Sequence, residues 1–210
     1  MHTSNFYPIV KRLLDIFFAI FALLLLAPFG LIVALWVAFR DGRPVFFLQR
    51  RIGLHGHPFT IVKFRTMSID SSDPDDENAR LSFSGKILRE WSIDEIPSLW
   101  NILIGEMSFV GPRPLLEEYM SFYTREHSRR HEVRPGLTGL SQVSGRNHLG
   151  WMERLDLDVQ YVDSFSALGD VSILLRTIRA VILRVGVNQS DGRTMSKLGP
   201  GYASTRELNS

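Results

Sequence analysis

Apolar positions are concentrated in one uncharged run, Ile16 to Phe39. As straight helix these roughly 24 residues cover about 36 Å, enough to cross a hydrocarbon core of about 30 Å. The run is too long for the apolar region of a secretory signal, and no small-x-small cleavage site follows it. Pro28, near its middle, removes one helical hydrogen bond and crowds the preceding turn, which predicts a kink, and Gly30 adds local freedom. Lys11 and Arg12 stand before the run, and Arg40, Arg43, Arg50 and Arg51 after it. Basic flanks favour the cytoplasmic side, so a single crossing leaves one set outside. A helix broken at Ala27-Pro28 that enters and leaves through one leaflet accommodates both; a kinked single-pass anchor is the alternative. Backbone groups freed at a break need local partners, because lipid offers none. Asp15, at the apolar edge, also needs a partner, and Arg12 at i−3 is the predicted one.

Beyond residue 40 the pattern shortens. Pro44–Gln49 and Phe59–Arg65 read as strands around the turn cluster 53–58, which predicts a β-hairpin. In the second strand Lys63 and Arg65 share a face with Ile61. This makes the two cations either a phosphate contact or a solvated face. His55 and His57 read as turn residues, since no third ligand is near. Ser68–Asn78 is a polar, acidic loop without the central glycine of a calcium loop. Ser84–Glu90 and Ser98–Ile104 read as short helices, and Leu115–His131 as a longer one whose basic end meets solvent or anionic lipid. After Pro135-Gly136, residues 139–147 read as a glycine-marked loop carrying Gln142 and Arg146. Trp151–Phe165 reads as a helix with Tyr161 in the core and Asp156 and Asp158 exposed. Asp170–Val185 is apolar with Arg176, Arg179 and Arg184 inserted: either a basic amphipathic helix in the membrane interface or a core helix. The reading is a mixed α/β protein in three parts. They are a membrane element (1–40), a catalytic domain (41–185) and a surface tail (186–210).

Composition adds limits. The chain has 210 residues, a formal net charge of +2 and no cysteine. Disulfides, thiolate metal sites and a cysteine nucleophile are excluded, and bulk charge identifies no partner. Basic residues lie beside apolar surface and no nucleic-acid motif is present, which argues against DNA or RNA binding. The chemistry concentrates in 91–114, WSIDEIPSLWNILIGEMSFVGPRP. Asp94 and Glu95 are adjacent carboxylates before a proline. One can act as a nucleophile on phosphorus, and the pair suits magnesium, a hard ion that takes oxygen ligands. Lys63, Arg89, Arg113 and Arg146 are the cations available to a diphosphate. Arg113, between Pro112 and Pro114, has a restricted backbone, so less entropy is lost in presenting its guanidinium. The competing reading has Ser92 or Asp94 as a helix N-cap.

The chain resembles the bacterial sugar transferase family, the monotopic polyprenyl-phosphate phosphoglycosyl transferases. The resemblance runs in order through Lys11-Arg12-Leu13-Leu14-Asp15, Pro44-Val45-Phe46-Phe47 with Gln49, Arg51 and Gly53, and Lys63-Phe64-Arg65-Thr66-Met67. It continues in Ser92-Ile93-Asp94-Glu95-Ile96-Pro97, Gly105 to Pro114, Arg134 to Gly139, Gln142 and Gly145-Arg146-Asn147. It implies that Asp94 attacks the β-phosphorus of a UDP-sugar, releasing UMP, and that undecaprenyl phosphate then takes the phosphosugar. It also implies that Glu95 assists with Mg2+. Lys63, Arg65, Arg89, Pro112, Arg113, Gln142 and Arg146 become the expected substrate-binding set. Lys11, Arg12, Asp15, Ala27 and Pro28 become the expected membrane set, on the cytoplasmic face of the bacterial inner membrane. Downstream glycosyltransferases are further expected partners.

The family's helix break is a Ser-Pro pair, replaced here by Ala27-Pro28, and Ser98 stands where Gln is usual. Leu140, Ser141 and Ser144 also depart from the family pattern. Thr194-Met195 resembles members acting on N-acetylated or diacetamido amino sugars. The alternatives are a membrane-bound nucleotide-sugar hydrolase, which needs no lipid acceptor, and a non-catalytic membrane adaptor.

Overall fold

The computed structural model describes residues 6–68, 81–145, 149–183 and Leu198. Arg146, Thr194-Met195, nearly all of the acidic loop and nearly all of the tail lie outside them. Helix α1 (Tyr7–Asp41) leads into an antiparallel hairpin of β1 (Phe46–Ile52) and β2 (Pro58–Phe64), as the alternation predicts. Helix α2 (Phe83–Glu90) follows, capped by the Ser82 side chain on the Gly85 N–H. A 3-10 turn, Ile93–Ser98, carries the acidic pair into α3 (Leu99–Ile104). The remainder is β3 (Ser108–Val110), α4 (Arg125–Ser128), β4 (Gly136–Thr138), α5 (Leu140–Ser144), α6 (Trp151–Asp163) and α7 (Ala167–Ile182). Strands β3 and β4 pair in parallel, a contact too short to leave a period in the sequence.

Helix α1 lies along the rest of the molecule and is bonded to it near both ends. At its start, Lys11 Nζ reaches Asp170 at 2.5 Å, and the Tyr7 hydroxyl donates to the same carboxylate at 2.7 Å. At the C-terminal end of α3, Arg12 donates to the carbonyl of Leu103 (2.9 Å) and to that of Ile102 (2.7 Å), which also accepts the Gly105 N–H. Asp15 accepts the Phe109 N–H at 3.2 Å. The expected Arg12–Asp15 bond is therefore replaced: Arg12 serves the end of α3 and Asp15 the Phe109 N–H, both backbone groups of the body behind α1. At the far end, Arg65 donates to the carbonyls of Asp41, Gly42 (2.7 Å) and Arg43 (3.1 Å), and Ser82 and Ser84 donate to the Asp41 carboxylate. The expected interruption at Ala27-Pro28 does not occur: Pro28 lies inside α1, with helical backbone on both sides.

Only Asp15, Ala19, Val33 and Val37 of α1 are buried. Ala19 joins a core of Phe59, Ile61, Leu99, Ile102 and Met107; Val33 and Val37 join Phe64 and Leu88. The other faces leave Phe17, Phe21, Leu24, Leu25, Leu31, Ile32 and Phe39 exposed. Helix α7 does the same with Leu168, Val171, Leu175, Ile178 and Ile182, so the core-helix alternative for this segment fails.

Other expectations need correction. Leu115–His131 is not one helix. It forms a 3-10 turn at Glu117–Phe122, becomes extended at Tyr123 and Thr124, and restarts where the Thr124 hydroxyl accepts the His127 N–H. Most of its basic end is used inside the protein. His127, Arg130 and His131 are buried, and Arg129 pairs with Glu126, Glu132 and Asp163. Asp158 is buried rather than exposed, and residues 140–144 are helical rather than loop.

Candidate active site

Side chains from the 3-10 turn and from α3 stitch this region to β2. Ser98 Oγ donates to the Val62 carbonyl at 2.8 Å, Asn101 Oδ1 accepts the Val62 N–H at 3.1 Å, and Asn101 Nδ2 donates to the Thr60 carbonyl at 2.7 Å. These bonds satisfy the strand edge that β1 leaves open. They also fix Lys63, which shares the inward face of Phe59 and Ile61, against the turn. Ser98, a departure from the family pattern, thus has a defined task.

Lys63 Nζ lies 2.5 Å from Glu95 Oε1, and Arg113 Nη2 reaches the same oxygen at 3.2 Å. A small cleft opens here, lined by Arg51, Ile61, Lys63, Glu95, Met107, Arg113, Pro114, Gly136 and Leu137. Arg113 is held out by close backbone packing. Gly111 and Gly136 approach so tightly that a Cβ at either would fall 2.3 Å or less from backbone atoms. Pro112 is part of this support, its carbonyl accepting the Gly136 N–H at 2.9 Å, and is not itself a lining residue.

The neighbouring carboxylates sit in opposite environments. Burial alone would raise Glu95, but Arg113 and Lys63 outweigh it and hold the group at about 2, ionised. Asp94 is buried, accepts no hydrogen bond among the described residues, and faces the negative charge of Glu95. Burial first, then Glu95, lift it to about 6 against the opposing pull of Lys63, Arg89 and Arg113. Neither acid caps a helix: Ser92, at the N-cap position, makes no side-chain cap bond and sits in the left-handed region at φ 56°. The capping explanation of the acid pair is not supported.

Of the expected substrate contacts, Lys63 and Arg113 meet at the cleft, while Arg89 acts on Asp94 through space and donates to Thr66 Oγ1 at 3.0 Å. Arg65 does not join them. It lies beyond the end of β2, where its guanidinium serves the three carbonyls after α1. Gln142 donates to the Leu137 carbonyl at 3.0 Å, and its Oε1 is buried without a partner. Arg51 is the cleft cation that residue-level reading missed. It occurred in the family-like stretch, but on a strand whose neighbours gave it no distinct role. Burial, then Arg113, lower it to about 10.

Residues 6–184 match the profile of the bacterial sugar transferase family. The chain belongs to that family. Among its relatives is the uncharacterized sugar transferase EpsL of Bacillus subtilis, 43% identical over 201 residues, covering 94% of this chain and all of the relative. The exopolysaccharide production protein ExoY of Sinorhizobium fredii is 39% identical over 198 residues, covering 85% and 88% of the two chains. A UDP-glucose:undecaprenyl-phosphate glucose-1-phosphate transferase of Caulobacter vibrioides is 39% identical over 187 residues, covering 82% and 69%. Within this sugar transferase, Glu95, Lys63, Arg51 and Arg113 line the cleft, and the unbonded Asp94 adjoins Glu95 within electrostatic reach of Lys63, Arg89 and Arg113.

Proposed function

We propose that this sugar transferase moves a sugar 1-phosphate from a UDP-sugar to undecaprenyl phosphate through a phosphosugar carried on Asp94. The observation that carries the reading is the contrast within the acid pair: Glu95 is pinned by Lys63 and Arg113, whereas Asp94 is unbonded beside it. A carboxylate without hydrogen bonds keeps its lone pairs for attack. An Asp94 oxygen bonds to the β-phosphorus, and the bond from that phosphorus to the bridging oxygen breaks. UMP leaves with the bonding electron pair. A phosphate oxygen of the lipid acceptor then attacks the same phosphorus and returns Asp94 as a carboxylate. Lys63, Arg89 and Arg113 offset the diphosphate charge, and Glu95 keeps Lys63 and Arg113 in register. The names of the Caulobacter relative and of a Salmonella typhimurium undecaprenyl-phosphate galactose phosphotransferase, 33% identical, support the donor and acceptor classes.

Magnesium fits the donor set. Asp94 and the second oxygen of Glu95 are hard ligands without hydrogen bonds, and no group of three histidines or carboxylates able to hold a metal occurs among the described residues. Two carboxylates plus substrate phosphates is the usual magnesium arrangement. Asp94 and Glu95 would hold the ion, which neutralises diphosphate charge when bound.

The membrane placement rests on α1. A helix of this length, about 52 Å if straight, is apolar on most faces yet tied to the catalytic body near both ends. This supports a re-entrant element entering from the cytoplasmic face. Tags at both termini should report the cytoplasm, and a periplasmic N-terminus would refute it. For the donor, an N-acetylated amino sugar is the proposal, to be tested beside UDP-glucose and UDP-galactose. The assay is UMP release by protein in detergent, with and without undecaprenyl phosphate and magnesium. Turnover that requires lipid, with one sugar, supports the reading; sustained turnover without lipid would make the protein a hydrolase.

A further inference from the structure

Arg113 projects from a backbone that is clamped twice. Its own carbonyl accepts Arg130 Nη2 at 2.6 Å, and the next carbonyl, Pro114, accepts Arg51 Nη1 at 3.2 Å. Pro112 and Pro114 restrict φ on either side. Arg130 is 2% exposed and is locked by Asp158, 1% exposed, whose Oδ2 takes Arg130 Nε at 3.1 Å and Nη2 at 2.7 Å. The other Asp158 oxygen accepts Ser141 Oγ at 2.8 Å, and the Tyr123 ring lies 5.7 Å from the guanidinium. Every heteroatom of Asp158 is thereby used, and the plane of Arg130 is fixed.

A buried ion pair contributes little net stability compared with apolar residues of the same volume, because desolvation offsets the Coulomb gain. The pair does do something an apolar replacement cannot: it aims one guanidinium N–H at the carbonyl of the arginine that reaches into the cleft. The Arg113 side chain is long, 40% exposed and, among the described residues, held at its tip by Glu95 alone. Its root is the part the protein can preorganise, and a misplacement of about 1 Å is enough to cost a hundredfold in rate.

We propose that Arg130, held by Asp158 and Ser141, is a positioning residue for Arg113 and sets the rate of UMP release without touching substrate. The inference rests on the reading that Arg113 meets the donor diphosphate. Arg130→Lys tests it. A lysine keeps the charge opposite Asp158, but one ammonium lacks the fork that reaches carboxylate and carbonyl together. The expected result is a folded protein whose first-turnover UMP release is slower by about tenfold or more. In an Arg113→Ala background the same change should cost nothing further, because the residue it positions is gone. Losses that multiply in that background, or a folded Arg130→Lys enzyme with wild-type rate, would overturn the proposal. If lysine destabilises the fold, the variant Arg130→Met with Asp158→Leu and Ser141→Ala removes the network without leaving a buried charge. It should fold and show the same kinetic loss, and wild-type kinetics from it would equally overturn the idea. The two failures are distinguishable. Wild-type protein without lipid-dependent UMP release would remove the functional reading, whereas an active wild type with no Arg130–Arg113 coupling removes only the positioning role.

Discussion

At the residue scale, the account turns on a carboxylate kept in an unfavourable place. Asp94 is buried and unbonded, and its folded value near 6 lies above the ordinary aspartate value of 3.8. A raised carboxyl contributes stability that is present below the unfolded value and lost as pH rises through the folded one. At neutral pH the ionised group is therefore a net burden of order 3 kcal/mol. Asp94→Asn should abolish transfer and, in chelator at pH 7.5, raise the melting temperature. A variant that is inactive and less stable would contradict the burden. His131 makes the opposite pH statement. Burial first, then Arg130, lower it to about 4, so it folds neutral. Its contribution is complete above the unfolded value of about 6.5 and lost as pH falls toward 4. Denaturant titrations should show stability falling across that window, and His131→Phe should flatten the fall. An unchanged slope would mean that the acid sensitivity lies elsewhere.

At the element scale, what was legible followed from period. The long apolar run gave α1, the alternation in Phe59–Phe64 gave β2 with Lys63 on the face of Ile61, which only the structure shows to be the inward one, and the amphipathic run after Asp170 gave α7. The failures were contacts that no period encodes. Arg65 shares a face with Lys63 by spacing, but the strand ends between them, and unpaired carbonyls at the end of α1 claim the guanidinium. Leu115–His131 has helical composition, but Thr124 restarts the chain by capping, which breaks the single helix. Asp158 looks like a surface acid until Arg130 arrives from 28 residues away. The outward apolar side of α7 yields its own prediction. Leu175 and Ile178 are exposed at 63% and 55%, so a double change to glutamate removes no core contact. It should release protein from vesicles in flotation while leaving the melting temperature in detergent unchanged. Full retention on vesicles would show that this face is not the interfacial one.

For the whole molecule, the site exists only because distant segments converge. β2 brings Lys63, the 3-10 turn brings Asp94 and Glu95, the β3–β4 pair brings Arg113, and the start of α1 holds the end of α3 behind them. The identities of Asp94, Glu95, Lys63 and Arg113 were readable in the sequence; the division of labour between the two acids was not, since it depends on which one the cations reach. The most direct test of that division is the mass of the intact protein after incubation with the donor UDP-sugar and magnesium, without lipid. The account predicts a gain equal to one phosphosugar, matched by one UMP per protein, removed on adding undecaprenyl phosphate and absent in Asp94→Asn. Lipid-dependent transfer by a protein that never gains that mass, or a gain that survives Asp94→Asn, would contradict it.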